Sequence, residues 1–412
     1  MTDATTSPAV PSGAHELLTR MDAALAEERE RDEAINLIAS QNVLSPAARV
    51  ALVSTLGQRS HVGASHVERL EAAMLEAAEH LYRTRHIEYR LMSGSLANQM
   101  AIVGAIPASA TVLVMPRAAS GDRSIQRTGY VGWRDARVVD LPFDYARHNV
   151  DLDGLRSAMR THRPAWLIIG GSRPLFPYPL AEMRAEADAV GCRILYDGAH
   201  ILGLWAGGQF QDPLAGGADI VTGSTQKTLP GPLGGLLFCR TAEMLRPIAQ
   251  LCDDVLGDYG NARVAALAVT LAEMVEWGRH YAAAIVANAR ALGEALAAEG
   301  FTVVAADLGF TASHQILVRA DGLDVGDLRT VLDAGRILCS FVPLTLAVGA
   351  PPIAGLRLGT SGVTRRGMGP AEMRRLARLM ARLLLCGDDP ALIGKEVREL
   401  RAVFGEIHYT LT

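Results

Sequence analysis

Short runs rich in branched residues recur through the middle of this chain, at Thr111 to Met115, Trp166 to Ile169, Arg193 to Tyr196, Asp219 to Thr222 and Leu236 to Cys239, with polar or helical stretches between them. Strands separated in this way are joined by crossover helices, so the pattern calls for an α/β fold with a large, mainly parallel sheet. A long helical region from about Asn261 to Glu299 follows. Beyond it the sequence predicts strands at Phe301 to Ala305 and Gln315 to Val318, then a closing helix after Pro370 carrying Met373, Leu376, Leu379, Met380 and Leu383. These elements are expected to form a smaller C-terminal α+β domain. At the other end, a dozen residues rich in Thr, Ser, Pro and Ala precede a charged helical segment from His15 to Glu33, which reads as an N-terminal arm. The expected division is an arm over 1–50, a large domain over 51–275 and a small domain over 276–412.

Composition excludes several classes of protein. With 412 residues, 49% hydrophobic and 20% charged, the chain has material for a large core and is neither disordered nor a small disulfide scaffold. A net charge of -4 gives no electrostatic case for nucleic acid or an anionic membrane. No apolar stretch approaches the roughly 18 residues a membrane helix needs, and residues 1 to 14 lack a basic start followed by an apolar run. The five cysteines are scattered without metal-ligand spacing, so reduced thiols, a cytoplasmic location and no metal are expected.

Two strand ends carry the chemistry. Asp197-Gly198-Ala199-His200 follows one apolar run, and Ser224-Thr225-Gln226-Lys227-Thr228 follows the next. A carboxylate and a lysine so placed fit a pyridoxal phosphate site, where the carboxylate keeps the pyridine nitrogen protonated and the lysine holds the aldehyde. Taken singly, each has an ordinary reading as a helix-capping Asp or a surface Lys. Ser93-Gly94-Ser95 opens a helical stretch and is a candidate anion site, because small residues at a helix start let backbone N–H groups approach a phosphate.

Several motifs in fixed order resemble the serine hydroxymethyltransferase group of fold-type I pyridoxal-phosphate enzymes. They are Asn36 to Asn42, Ser93 to Asn98, Ile168 to Gly171, Asp197 to His200, Lys227 to Gly231 with Gly234-Gly235, Leu356 to Thr360, and Thr364 to Gly367. The resemblance implies an aminotransferase-like fold and pyridoxal 5'-phosphate as cofactor. It makes Lys227 the Schiff-base lysine and Asp197 the partner of the pyridine nitrogen, with His200 against the ring or its phenolic oxygen. Ser93, Gly94 and Ser95 would hold the phosphate, Gly234 or Gly235 would reach it from a neighbouring subunit, and Ser224 and Gln226 would line the cofactor. Arg357 would clamp the substrate carboxylate, an inter-domain salt bridge being its alternative. Ser172 lies near the family's serine that bonds the ring oxygen. A homodimer or homotetramer with shared sites is implied as well.

The groups that direct the family's reaction are altered. Gln41 stands for a proton-handling glutamate, and Gln cannot exchange a proton. Ser60 and His61 fall on two tyrosines, Asp122 near the ring-stacking histidine, Gln226 on the histidine before the lysine, and Ser340 near a folate-contacting asparagine. His61 could assist protonation or substrate orientation across a subunit interface, or together with His66 simply fill that interface. The expected substrate is therefore an amino acid or an S-substituted cysteine conjugate of a natural-product pathway, processed by β-elimination or decarboxylative oxidative deamination. This resembles the lincosamide enzymes that act on S-linked cysteine conjugates. Transaldol transfer comes second, since other blocks resemble threonine transaldolases, and hydroxymethyl transfer third. A non-catalytic cofactor-binding regulator is disfavoured, because decay would strip Lys227 and Asp197 as readily as the rest.

Overall fold

The computed structural model describes residues 13–59, 65–321 and 325–411. Its strands, in chain order, are β1 (Ile35–Asn36), β2 (Ile87–Glu88), β3 (Thr111–Val114), β4 (Arg137–Asp140), β5 (Phe143–Asp144), β6 (Asn149–Val150), β7 (Trp166–Gly170), β8 (Arg193–Asp197), β9 (Ile220–Ser224), β10 (Gly235–Cys239), β11 (Gln315–Arg319), β12 (Ile337–Leu338), β13 (Ser340–Leu344) and β14 (Ile353–Gly359). The large sheet has the order β2-β10-β9-β8-β7-β3-β4. Pairs from β9 to β4 are parallel, and β10 runs antiparallel to both β9 and β2. The mainly parallel sheet expected from the branched runs is therefore present.

Both faces of that sheet are covered, which is why its strands read as continuous apolar runs. Leu113, Ile169, Tyr196, Val221 and Phe238 face one core with Met274 and Tyr281 from the long helix Asn261–Ala298. Their strand neighbours Val112, Ile168, Leu195, Ile220 and Leu237 face the other, with Ile102, Ile248 and Cys252. The register sets Gly170 opposite Asp197 and Asp197 opposite Thr222, so three strand ends meet at one edge. Carboxyl ends of parallel strands are where open α/β sheets place their ligands.

A second sheet, β11-β14-β13, is antiparallel. The helix Pro370–Leu384 packs on it through Met373, Leu376, Met380 and Leu383, as the spacing predicts. A further helix, Pro390–Ala402, adds Ile393, Val397 and Leu400 to the same core. No strand forms at Phe301 to Ala305: Val303 makes a single bridge to Val318, and Ala305 takes a left-handed conformation (φ 57°) that turns the chain into a short 3-10 helix. Residues read as arm also enter this layer. β1 pairs with β12, and Ile35 and Leu37 are fully buried against Leu292, Leu358 and Met380.

The helix Asn261–Ala298 runs about 57 Å at 1.5 Å per residue and contributes to the cores of both layers, so it crosses position 275 without a break. The buried pair Arg365–Glu273, at 2.5 Å with both side chains 1% exposed, fixes it to the C-terminal segment. The helix Ala14–Arg31 buries none of its residues, and Leu17, Leu18, Met21 and Leu25 are exposed along it. Among the described residues no helix is long and apolar enough to cross a membrane.

Candidate active site

β8 delivers Asp197 into the interior at 3% exposure. One of its oxygens accepts from Asn98 Nδ2 at 3.0 Å and the other from the Ala199 N–H at 3.1 Å. Asn98 is itself held by Thr222, whose hydroxyl donates to its Oδ1 at 2.6 Å. Its amide also donates to Ser124 Oγ at 3.0 Å, and Ser124 donates to Asp122 at 2.7 Å. One asparagine thus orients two carboxylates. Burial, with the Asp122 charge adding to it, pushes Asp197 up to about 6, and Lys227, Asn98 and the Ala199 N–H offset only part of that rise. A buried carboxylate so weakly compensated is suited to a cation such as a protonated pyridine nitrogen.

Lys227 follows β9 in a turn that Asn42 ties down, donating to the Lys227 carbonyl at 2.5 Å and to Tyr281 Oη at 2.9 Å. Burial lowers the lysine's proton affinity, Asp197 and Asp122 work against that, and Arg357 reinforces it. The result is an amine shifted toward its nucleophilic free-base form.

Ser93 caps the helix Gly94–Ala105, accepting from the Leu96 N–H at 3.0 Å. A Cβ on Gly94 would collide with Ser224 Oγ, so a larger residue there would make Ser224 turn away or the helix start shift. Ser95 is exposed in the first turn. A Cβ on Gly235 would strike the Ser93 carbonyl, and the Gly235 N–H is given to Leu91 O at 2.7 Å. Gly235 therefore backs the cup within its own chain, and its N–H is not available to a phosphate. Gly234 lies beside Thr225 Oγ1 and Arg263 Nη1. The cup has the small residues and helix N-terminus that a phosphate needs.

Arg357 sits within β14 and donates to the Ser172 carbonyl at 2.9 Å, while its buried Nε has no partner. It makes no ion pair among the described residues, so the salt-bridge alternative is not what the geometry shows. Burial and the nearby Arg173 push it down to about 10, still a cation at neutral pH. The Ser172 hydroxyl turns to Ser120 O at 3.2 Å.

His200 is buried with its Nδ1 3.2 Å from Nε2 of His314, and the two rings stack at 5.2 Å between centroids. Sequence reasoning gave His314 no role, because 114 residues separate the two in the chain. The available signal was a polar triplet, Ser313-His314-Gln315, leading into an apolar strand.

Gln41 and Gln226 line one cavity of about 640 Å³ together with Asn42 and Arg49. Asn36 donates to Gln41 Oε1 at 2.7 Å, and Gln226 Oε1 is buried without a partner. Ser60 and His61 lie outside the described residues.

Comparison with known proteins settles the family. The family described as serine hydroxymethyltransferase matches residues 16–380. The chain belongs to the serine hydroxymethyltransferase family. It is 36% identical over 404 residues to a serine hydroxymethyltransferase of Pyrobaculum calidifontis, covering 94% of this chain and 93% of that one. To that of Thermococcus kodakarensis it is 37% identical over 406 residues, with 93% of each covered. Among solved structures, the L-threonine transaldolase of Pseudomonas fluorescens in its internal aldimine state superposes with a TM-score of 0.88 at 26% identity, covering 96% of this chain and 94% of that one. This family member is a pyridoxal-phosphate enzyme of fold type I. The raised Asp197 and the cup at Gly94 fit that cofactor.

Proposed function

We propose that this enzyme cleaves an S-substituted cysteine or related amino-acid conjugate by β-elimination followed by hydrolysis of the eliminated product, consuming one water and giving a thiol, pyruvate and ammonia. The supporting observation is the pair of glutamines that line a common cavity, Gln226 being the residue before Lys227: neither Gln41 nor Gln226 can give up or take a proton, so hydroxymethyl and aldol transfer lack their usual acid–base groups at these positions. Pyridoxal phosphate, when bound, supplies an electron sink for the substrate's Cα. Asp197 holds a proton on the pyridine nitrogen, the Ser93-Gly94-Ser95 N–H groups hold the phosphate, and Arg357 binds the substrate carboxylate. Lys227 carries the proton to and from Cα, and the buried setting of these groups keeps their electrostatic effects strong. Decarboxylative oxidative deamination of the same substrate class would draw on the same cofactor-holding residues and would need an oxidant such as dioxygen as co-substrate.

Transaldol transfer from threonine to an aldehyde is the second reading, favoured by the likeness to the threonine transaldolase. A homodimer or homotetramer fits the helix Ala14–Arg31, whose leucines and Met21 are exposed among the described residues. Mass-spectrometric product analysis with an S-alkyl cysteine, run beside serine plus tetrahydrofolate and threonine plus an aldehyde, tests the proposal. Thiol with pyruvate is expected. Glycine or a new β-hydroxy amino acid, with no thiol released, overturns it.

A further inference from the structure

His200 and His314 form a fully buried imidazole pair whose protons are fixed by what surrounds them. His314 Nε2 stands 3.2 Å from the Ala39 carbonyl and 3.2 Å from His200 Nδ1. A carbonyl oxygen only accepts, so a bare lone pair on Nε2 would face it unsatisfied in the interior. Nε2 of His314 therefore carries the hydrogen. Its Nδ1 is then an acceptor, and Ser313 Oγ, 3.1 Å away, supplies the donor. The same hydrogen on His314 Nε2 makes His200 Nδ1 an acceptor, which leaves the proton of His200 on its Nε2. Had His200 donated instead, Ala39 would lose its donor and the Ser313 contact would have to reverse.

We infer that His314 is a positioning residue that locks His200 in the Nε2–H tautomer, so that His200 presents a permanent N–H, never a lone pair, to a group bound beside it. This rests on the reading that the cofactor binds next to His200. An N–H held toward an ionised phenolic oxygen favours the ionised form, whereas a lone pair would oppose it. Burial and the neighbouring cations Lys227 and Arg357 keep both rings neutral, so the arrangement does not switch with pH: His200 falls well below the ordinary histidine value and His314 to about 3.

Nitrogen NMR of the full chain labelled with 15N-histidine tests this without turnover. In the cofactor-free protein, His200 and His314 should each show a protonated Nε2 and an unprotonated Nδ1, unchanged from about pH 5.5 to 8.5. A hydrogen on His200 Nδ1, or titration of either ring in that range, overturns the inference. In the protein loaded with pyridoxal phosphate, His314→Phe should raise the pH midpoint of the visible absorption band by about one unit, a tenfold change in proton affinity. His314→Gln, whose amide can replace the lost donor, should restore most of it. An unmoved midpoint in folded, loaded His314→Phe contradicts the lock, and wild-type NMR decides the question if that variant does not fold. Failure of the wild-type protein to take up pyridoxal phosphate would count against the cofactor reading alone, since the tautomers are read in its absence.

Discussion

His314 and Asp197 both change their proton affinity on folding, in opposite senses. His314 falls to about 3 when buried, from 6.5. Below pH 6.5 the unfolded chain takes up a proton that the folded ring refuses, so stability drops by about 1.4 kcal/mol per pH unit for this group. Asp197 rises to about 6 from 3.8, so the folded state protonates first and stability is regained between those values. In urea melts of the cofactor-free protein, His314→Gln should therefore flatten the loss of stability between roughly pH 6 and 4.5 by about one proton's slope. Identical slopes in the two proteins would mean that His314 is not held neutral. At this scale the sequence showed Lys227, Asp197 and Arg357, because each lies at a strand end or within a motif. It did not show the roles of His314 and Asn98, which arise only where helix, strand and small-domain segment converge.

The helix Gly94–Ala105 shows how closely an element is fitted to its neighbour. Its first residue has no room for a side chain, since a Cβ on Gly94 would meet Ser224 Oγ at the end of β9. Gly94→Ala should weaken pyridoxal phosphate binding at least about tenfold, because either the helix start or Ser224 must move by a fraction of an ångström. Equilibrium titration of the visible band checks it, and Ser224→Gly in the same chain should recover part of the loss by removing the blocking oxygen. Unchanged affinity in Gly94→Ala would show that the cup does not hold the phosphate. The elements themselves were largely legible. The strands of the large sheet announced themselves as branched runs because both faces are buried, and Ser93-Gly94-Ser95 marked a helix start. The direction of β10 was not legible, since a five-residue apolar run reads the same in either sense. The strand expected at Phe301 to Ala305 failed because its pairing stops at Val303, where Ala305 turns the chain away.

Over the whole molecule, two sets of residues have different origins. Those that fit the cofactor lie on the large sheet's strand ends and the helix beside them, anchored by a core that spans both faces. The glutamines at the cavity come from the segment after β1 and from the turn after β9, while Arg357 comes from the second sheet and bonds the Ser172 carbonyl. Motif order revealed the first set and Arg357, while the two glutamines became visible only as departures from a resemblance. The reading proposed for this enzyme keeps the cofactor-holding set intact and rewrites the reaction-directing set. The most direct measurement is proton NMR of the loaded enzyme in deuterium oxide with L-serine and tetrahydrofolate. Deuterium should enter serine at Cα, through Lys227 and Arg357, with no tetrahydrofolate-dependent formation of glycine. Glycine formed in proportion to tetrahydrofolate, or serine left without deuterium, would contradict that reading.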